Sequence, residues 1–194
     1  GSELFTGHTM FLTLGVKAGT ISQGQMWAIL PQTWLGNLVG SVFVALLYSW
    51  GGGSLLPVDT SIVHSVALAK TTAPATVLFF KGALCNWLVC LAIWMAIRTE
   101  GAAKFIAIWW CLLAFIASGY EHSVANMTLF ALSWFGHHSE AYTLAGIGHN
   151  LLWVTLGNTL SGVVFMGLGY WYATPKSERP APAKINQTEA TANN

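Results

Sequence analysis

The fold of this chain is decided by one polar interruption in a long apolar segment: Ser118-Gly119-Tyr120-Glu121-His122-Ser123-Val124-Ala125-Asn126-Met127. Apolar runs flank it at 105–117 and 128–135, so Glu121 and His122 would lie near the middle of a membrane span. A charged side chain there costs roughly 2.5–3.5 kcal/mol, which indicates a functional site. The Ser118-Gly119 pair predicts a broken helix, and such breaks are tolerated only where protein or a water-filled cavity satisfies the backbone. The stretch therefore predicts the middle of a pore.

The composition is that of an integral membrane protein. Hydrophobic residues make up 54% of the 194 residues and charged residues only 8%, against about 25% charged residues in soluble domains. Mean hydropathy is +0.56. The apolar segments are continuous rather than alternating, which predicts helices and not a β-barrel. The net charge of +1 gives no reason to expect a nucleic-acid partner.

Hydropathy and helix-breaking residues divide the chain into spans and loops. Three complete spans are predicted, at 26–50, 74–98 and 150–172, and one broken span at 104–135. A short helix at 9–16 and an amphipathic helix at 60–72 are also predicted. Residues 1–8 and 136–148 are expected to be loops. The apolar side of the amphipathic helix is expected to carry Ile62, Val63, Val66, Ala67 and Ala69. A transmembrane channel domain then covers 1–173, and the tail 174–194 is expected to be disordered and cytoplasmic.

Two parts of the chain repeat each other in the same order. Glu3 is matched by Glu121, 118 residues later, and Leu35-Gly36-Asn37 by Leu156-Gly157-Asn158, 121 residues later. The second repeat, 74–173, begins with a complete span that the first, 1–50, lacks; residues 51–73 connect the two. We therefore expect inverted three-helix repeats from a six-span parent, with the first span and half of the second absent here. Short matches also arise by chance in apolar sequence, but paired broken helices are typical of transporters and channels.

Basic residues in the loops orient the spans. Lys17, the pair Arg98 and Lys104, and the basic residues of the tail fall on one side if the spans alternate, whereas the other side carries only Lys70. The positive-inside rule then predicts a cytoplasmic C-terminus.

Four stretches resemble the formate/nitrite transporter family: Glu3-Leu4-Phe5-Thr6, Lys81 through Cys90, Gly119 through Met127, and Val154-Thr155-Leu156-Gly157-Asn158. The loop after Trp50 and the turn at 135–138 are most similar to its bacterial nitrite channel branch. The resemblance implies an all-α, aquaporin-like protomer in a homopentamer of the bacterial inner membrane. Each protomer would transport nitrite, formate and similar small anions, alone or with protons, without enzymatic activity or a cofactor.

Three ionisable residues are candidates for anion binding. His122 matches the family's central histidine, and it could attract an anion as a cation or protonate it, since imidazole changes charge near neutral pH. Glu121 either stabilises a positive charge on the adjacent His122 or caps the second half-helix, where the helix dipole favours a carboxylate. Lys81 either raises the potential along the pore or extends to the lipid headgroups.

The resemblance also implies a gate and an apolar constriction. Leu4, Phe5 and Thr6 match a family loop whose hydroxyl faces the central histidine across the pore, so Thr6 is a candidate anion donor. Phe5, Val89 and Phe115 match the outer constriction, together with Leu4 as a gate residue. Large apolar residues repel a hydrated anion by dewetting, although each could equally be ordinary helix packing.

Intramembrane amides and loop histidines are the remaining candidates. Asn86 and Asn158 are assigned to the anion path, and Asn86 shares a helix face with Val89; such amides also commonly bond neighbouring helices. The residues His137, His138, Glu140 and His149 lack a metal-ligand spacing, so we expect no metal site. Two alternatives remain open: a channel for neutral solutes, and an intramembrane haem or metal protein that uses His8, His122 and His149.

Overall fold

The computed structural model describes residues 3–53, 62–136 and 138–179. These residues form eight α-helices and no β-strand: α1 Phe5–Ala18, α2 Gln23–Tyr48, α3 Ile62–Thr71, α4 Ala75–Ala96, α5 Ala102–Ala117, α6 Ser123–Phe135, α7 Leu144–Leu160 and α8 Gly169–Ala173. A π-helical segment, Ser49–Gly53, extends α2, and another, Ser161–Leu168, joins α7 to α8. The helical fold expected from the composition is confirmed.

Among the described residues, three continuous helical segments are long and apolar enough to cross a bilayer: Gln23–Gly53, Ala75–Ala96 and Leu144–Ala173. The predicted broken span is confirmed as well, because α5 and α6 are separate helices on either side of the polar interruption. Gly119 adopts a left-handed conformation, with φ of 62°. The amides of Gly119 and Tyr120 donate back to Ile116 and Phe115, at 3.0 and 3.1 Å. Glycine reaches this conformation at no steric cost, so it ends α5 there.

Two helix starts differ from the sequence prediction. Residues 1–8 were expected to be a loop, but α1 begins at Phe5, because the side-chain oxygen of Asn37 accepts its amide at 2.9 Å. Residues 136–148 were also expected to be a loop, but α7 begins at Leu144, since the Thr143 hydroxyl accepts the amide of Gly146 at 3.1 Å.

The amphipathic helix α3 turns a different face to the protein than expected. Ile62 is 76% exposed and Val66 40% exposed, whereas His64 and Thr71 are buried together with Ala67. The reason is polar contact: His64 Nδ1 lies 2.9 Å from the Ser133 hydroxyl, and the far end of α3 makes an ion pair described below. Packing on α6 therefore outweighs the apolar pattern of α3.

The predicted repeat recurs as a repeated hydrogen-bond pattern. In the first repeat Asn37 accepts the amide of Phe5 and donates to the carbonyl of Glu3, at 2.9 and 2.8 Å. In the second, Asn158 accepts the amide of Ser123 and donates to the carbonyl of Glu121, at 2.9 and 3.1 Å. Each asparagine therefore clamps the start of one half-helix through these two hydrogen bonds. This clamp is the structural role of the Leu-Gly-Asn motif.

The offset between the repeats grows by one residue along the last span. It is 121 residues at Asn37 and Asn158, but 122 at Val42 and Val164. The change coincides with the π-helical segment that begins at Ser161. A π-bulge is how a helix accommodates one additional residue, so the second repeat carries an insertion that the first lacks.

Glycines let the second repeat pack closely where the first is open. A Cβ on Gly157 would overlap the Phe79 carbonyl of α4, and one on Gly82 would lie 2.8 Å from the Val154 carbonyl of α7. The helices α4 and α7 therefore meet backbone to backbone. Gly36, the counterpart of Gly157, has no atom within 4 Å of such a Cβ among the described residues. The corresponding face of α2 is uncovered in this part of the chain.

Some expectations concern residues that the structure does not describe. His137 of the proposed loop cluster lies outside the described residues, as do residues 54–61 and 180–194. Residues 174–179 of the predicted disordered tail include a 3-10 turn at Lys176–Glu178. Among the described residues, no group of three His, Cys, Asp or Glu is arranged to hold a metal ion.

Candidate functional site

The two broken regions meet at a hydrogen bond between Thr6 and His122. The Thr6 hydroxyl lies 3.1 Å from Nε2 of the ring. Thr6 is in the first turn of α1, and His122 is the residue that precedes α6. Both are almost fully buried, with exposed fractions of 0% and 8%. Residues 116 apart in sequence are thus brought together at the junction of the two half-helices.

The local structure of α6 assigns the hydrogen on the imidazole. His122 Nδ1 accepts the backbone N–H of Ala125 at 3.1 Å, so the ring caps its own helix. In a neutral imidazole one nitrogen carries the hydrogen and the other accepts through its lone pair, so the hydrogen of His122 lies on Nε2. His122 therefore donates to the Thr6 hydroxyl. A second proton on the ring would require the bond to Ala125 to break.

The same junction collects the positive ends of two helix dipoles. The half-helices α1 and α6 both begin there, and each N-terminus carries a partial positive charge. Backbone amides at a helix start bind anions readily, and in transporters such half-helix ends point at anionic groups near the membrane centre. The junction therefore offers donors and positive potential but no fixed full charge on its two central side chains.

Glu121 is held by an ion pair that sequence reasoning missed. Its Oε1 accepts a hydrogen bond from Lys70 Nζ at 2.7 Å, and the two side chains are 5% and 18% exposed respectively. Lys70 comes from the last turn of α3, and its position in the sequence indicates only how the spans are oriented. The sequence carries no local signal for this pair, since Glu121 lies 51 residues further along the chain.

Two asparagines complete the environment of the Glu121 carboxylate. Asn126 donates to Oε2 at 2.6 Å, and Asn150 lies 3.5 Å from the same oxygen. Asn150 also donates to the Lys70 carbonyl at 2.9 Å and thereby joins α7 to α3. Glu121 is thus satisfied by the protein on both oxygens. Its contacts hold the broken segment to α3, α6 and α7, and the ring of the adjacent His122 is positioned by them.

The two candidate amides serve the fold at this site. Asn158 uses its side chain in the clamp described above and also donates to the Gly82 carbonyl at 2.8 Å. Asn86 donates to the Thr6 carbonyl at 3.2 Å and to the Asn158 carbonyl at 2.6 Å. Both are completely buried. The geometry favours the alternative in which these amides join neighbouring helices. The Asn86 side chain also holds the first turn of α1 through the Thr6 carbonyl.

The candidate constriction residues lie around the junction in different ways. Phe115 is half-buried and stacks on the His122 ring, with centroids 5.9 Å apart. Phe5 and Val89 are 4% and 5% exposed, and Phe5 packs on α2 in a cluster with Met26 and Leu30. Leu4 caps α1 and is 37% exposed. The structure therefore brings Phe115 to the imidazole directly, and it buries Phe5 and Val89 between the helices.

Lys81 contacts the broken segment through its backbone. Its residue is partly buried on α4, and its backbone carbonyl accepts the amide of Glu121 at 3.4 Å. Within the described residues its ammonium group makes no hydrogen bond or ion pair. Its backbone thus supports the break, and its side chain is a separate cation on the same helix.

Comparison with known proteins decides the family. The family model described as formate/nitrite transporter matches residues 1–172. The chain belongs to the formate/nitrite transporter family. It is 97% identical over 194 residues to the protein named nitrite transporter NirC of Salmonella typhimurium, and it covers 72% of that protein's length.

Solved structures of formate/nitrite transporters agree with the fold. One described as an FNT family ion channel superposes with a TM-score of 0.88 at 98% identity, covering 90% of this chain and 70% of that one. Another, described as a pentameric formate channel with formate bound, gives a TM-score of 0.68 at 25% identity, covering 80% of this chain and 69% of that one. The helical architecture of this chain is therefore the fold of channels in this family.

Proposed function

We propose that this protein transports nitrite and related small monovalent anions across the bacterial inner membrane through a pore at the junction of α1 and α6. The observation that carries the proposal is the Thr6–His122 pair, a hydroxyl and an imidazole N–H placed between two helix N-termini inside an apolar membrane protein. Both groups can donate hydrogen bonds to an anion, and the helix ends favour negative charge.

In this proposal a desolvated anion replaces the contact between Thr6 and His122. The anion accepts hydrogen bonds from the Nε2–H of the ring and from the threonine hydroxyl. The hydroxyl can rotate, so it accepts from His122 when the anion is absent and donates to the anion when it is present. Phe115 lies against the ring and contributes an apolar wall that excludes a fully hydrated ion. Protonation of His122 during passage requires Nδ1 to release the amide of Ala125, so charge on the ring is coupled to the first turn of α6.

The buried ion pair has a positioning role in the same proposal. Lys70 and Glu121 fix the segment that bears His122, and the two charges compensate each other at 2.7 Å. Because the pair has no net charge, the electrostatic potential along the path is set by the helix ends and by the separate Lys81 ammonium. A net positive potential favours anions over neutral solutes.

The alternative functions have weaker support. A neutral-solute channel would have no use for Lys81 in a membrane helix, where an unpaired charge is costly. A haem or metal protein needs converging ligands, and within the described residues His8 and His149 are engaged elsewhere: His8 with Glu3 at 2.6 Å, and His149 with the Ala73 carbonyl at 3.1 Å.

The assembly and orientation belong to the same proposal. A homopentamer with one pore in each protomer is supported by the solved formate channel of the family, which is pentameric. A cytoplasmic C-terminus is supported by contacts that gather the basic segments at one end: Lys17 donates to the Tyr172 hydroxyl at 3.1 Å, and Arg98 and Arg179 line one cavity. The positive-inside rule assigns that end to the cytoplasm.

The division into two repeats predicts what covers the open face of α2. In the second repeat α4 packs on Gly157 of α7, and the counterpart Gly36 is uncovered in the described part of the chain. We propose that a helix equivalent to α4 packs on Gly36 and completes the first repeat. We propose the boundaries 1–50, 51–73 and 74–173 on the same basis.

The proposal is tested by flux into liposomes. Nitrite, formate, glycerol and urea uptake is measured for this chain and, in parallel, for the Salmonella relative of which it covers 72%, with and without a pH gradient. We expect nitrite and formate to enter and the neutral solutes to be excluded. Uptake of glycerol or urea at the rate of nitrite would favour the neutral-solute channel, and a Soret band in the purified protein would favour the haem alternative.

A further inference from the structure

A cavity of about 290 Å³ lies at the end of the molecule where α1, α4 and α8 finish. Its walls are mainly apolar and include Leu14, Ala18, Trp94, Ile97 and Trp171. It is remote from the Thr6–His122 junction, since it borders the C-terminal turns of the helices whereas the junction lies at the start of α1. Nothing in the transport proposal makes use of it.

Cations held against aromatic rings surround the mouth of this cavity. The Arg98 guanidinium stacks over Trp94 at 3.4 Å, and that of Arg179 lies 5.5 Å from Trp171. Arg179 is fixed by hydrogen bonds to the carbonyls of Thr174 and Tyr172, at 2.9 and 3.1 Å. These bonds use Nε and Nη2 and leave Nη1 to bind elsewhere. Within the described residues the guanidinium of Arg98 has no hydrogen-bond acceptor.

The charge at this mouth is positive overall. The two arginines line the cavity, whereas Lys17 does not line it and lies against Tyr172, 3.1 Å from the hydroxyl and 5.2 Å from the ring centre. Glu178 is the one carboxylate among the lining residues. Two lining arginines against one lining carboxylate leave a net positive charge that attracts anions, next to a space with mainly apolar walls.

We propose that the cavity binds an anionic phospholipid of the surrounding membrane. The headgroup phosphate binds Arg98 and Arg179, and the first part of an acyl chain fills the space between Trp94 and Trp171. Tryptophan and arginine are the residues that meet lipid headgroups at a membrane surface, and basic pockets between membrane helices bind anionic headgroups. A free phosphate would satisfy the arginines but leave the apolar walls exposed, and a zwitterionic lipid would bring no net charge to the two arginines.

Bound in this way, the lipid would link the C-terminal ends of α1, α4 and α8. The helix α1 carries Thr6 at its other end, so a lipid at Ala18 braces the helix that supplies the pore hydroxyl. The site is a binding function separate from anion transport. Its failure would leave the transport proposal intact.

The test measures lipid retention by native mass spectrometry of the purified protein, with dioleoyl-phosphatidylglycerol against dioleoyl-phosphatidylcholine. We expect phosphatidylglycerol to bind roughly tenfold to thirtyfold more tightly, the contribution of two surface cations. The double variant R98Q/R179Q should lose that preference. The matched control K176Q removes an exposed cation three residues from Arg179 that does not line the cavity, and it should keep the preference.

A second variant and a headgroup analogue separate the remaining explanations. R98K/R179K retains both charges, so it should retain most of the preference, which shows that charge rather than arginine packing decides binding. Glycerol 3-phosphate, which lacks acyl chains, should not raise the melting temperature. Equal retention of the two lipids, or an unchanged preference in R98Q/R179Q, would overturn the proposal. Stabilisation by glycerol 3-phosphate equal to that by phosphatidylglycerol would also overturn it, in favour of a site for free phosphates.

Discussion

Replacing Lys70 with methionine removes the cation from the buried carboxylate of Glu121 while keeping most of the volume of the side chain. The pair is joined by a 2.7 Å hydrogen bond, and the carboxylate side chain is 5% exposed. Breaking a buried pair by removing one partner typically costs about 3–5 kcal/mol, because the remaining charge is uncompensated. Glu121 keeps the donors of Asn126 and Asn150, so we expect the lower end, about 3 kcal/mol.

The reverse change should cost less. Glu121→Gln leaves Lys70 without its anion, but the lysine side chain is 18% exposed, and its flexible stem can turn toward water. We expect a loss of about 1.5–2 kcal/mol, at the lower end of the range of about 1.5–3 kcal/mol for a hydrogen bond to a charged group. The double variant K70M/E121Q removes both charges, so it should be more stable than K70M alone. That ordering distinguishes an uncompensated charge from a simple loss of packing.

The assay is thermal or SDS-induced unfolding of the detergent-purified protein, read as a double-mutant cycle. A stability of K70M close to that of wild type would refute the reasoning, and so would a double variant less stable than K70M. Nitrite flux should fall in K70M as well, since the break that bears His122 is no longer anchored to α3.

Three further predictions follow from other contacts. Burial lowers the pKa of His64 from 6.5, and the neighbouring His138 acts in the same direction. The stability that neutral His64 contributes is therefore complete above the pKa of the unfolded state and is lost as the pH falls below that pKa. Acidification from about pH 7 to about pH 5 should destabilise wild type more than H64Q in unfolding titrations. Thr6→Val should lower nitrite flux by about tenfold without altering assembly, because it removes the hydroxyl bonded to His122. Gly157→Ala should disrupt the protein on size-exclusion chromatography, whereas Gly36→Ala should be tolerated in this chain and stabilise it by up to about 1 kcal/mol.

Local chemistry made the central features of the fold predictable from sequence. Gly119 can end a helix by its own conformation. An imidazole next to a carboxylate in an apolar stretch, as at Glu121 and His122, indicates a functional site without any knowledge of its distant contacts. The Leu-Gly-Asn motif revealed the repeat, although its physical role, the clamp that Asn37 and Asn158 place on the half-helices, appears only when the chain is folded.

Features that depend on distant contacts were beyond sequence reasoning. The start of α1 was predicted four residues late, because its first amide is satisfied by Asn37 from another helix. The inner face of α3 was predicted from apolar residues, but His64 and Lys70 turn inward to partners 69 and 51 residues away. Thr143 is different, since it caps α7 locally and could have been recognised before the apolar run.

The central claim is that His122, paired with Thr6 between two half-helices, governs anion passage, and His122→Asn tests it most directly. Asparagine is a favoured residue at a helix start and can still accept the amide of Ala125, so α6 should persist and the protein should assemble. Nitrite and formate flux into liposomes is measured across a range of pH for wild type and variant. We predict that the variant assembles normally but changes the ratio of nitrite to formate flux and loses the pH dependence of wild type. An unchanged ratio with an unchanged pH profile would contradict the account.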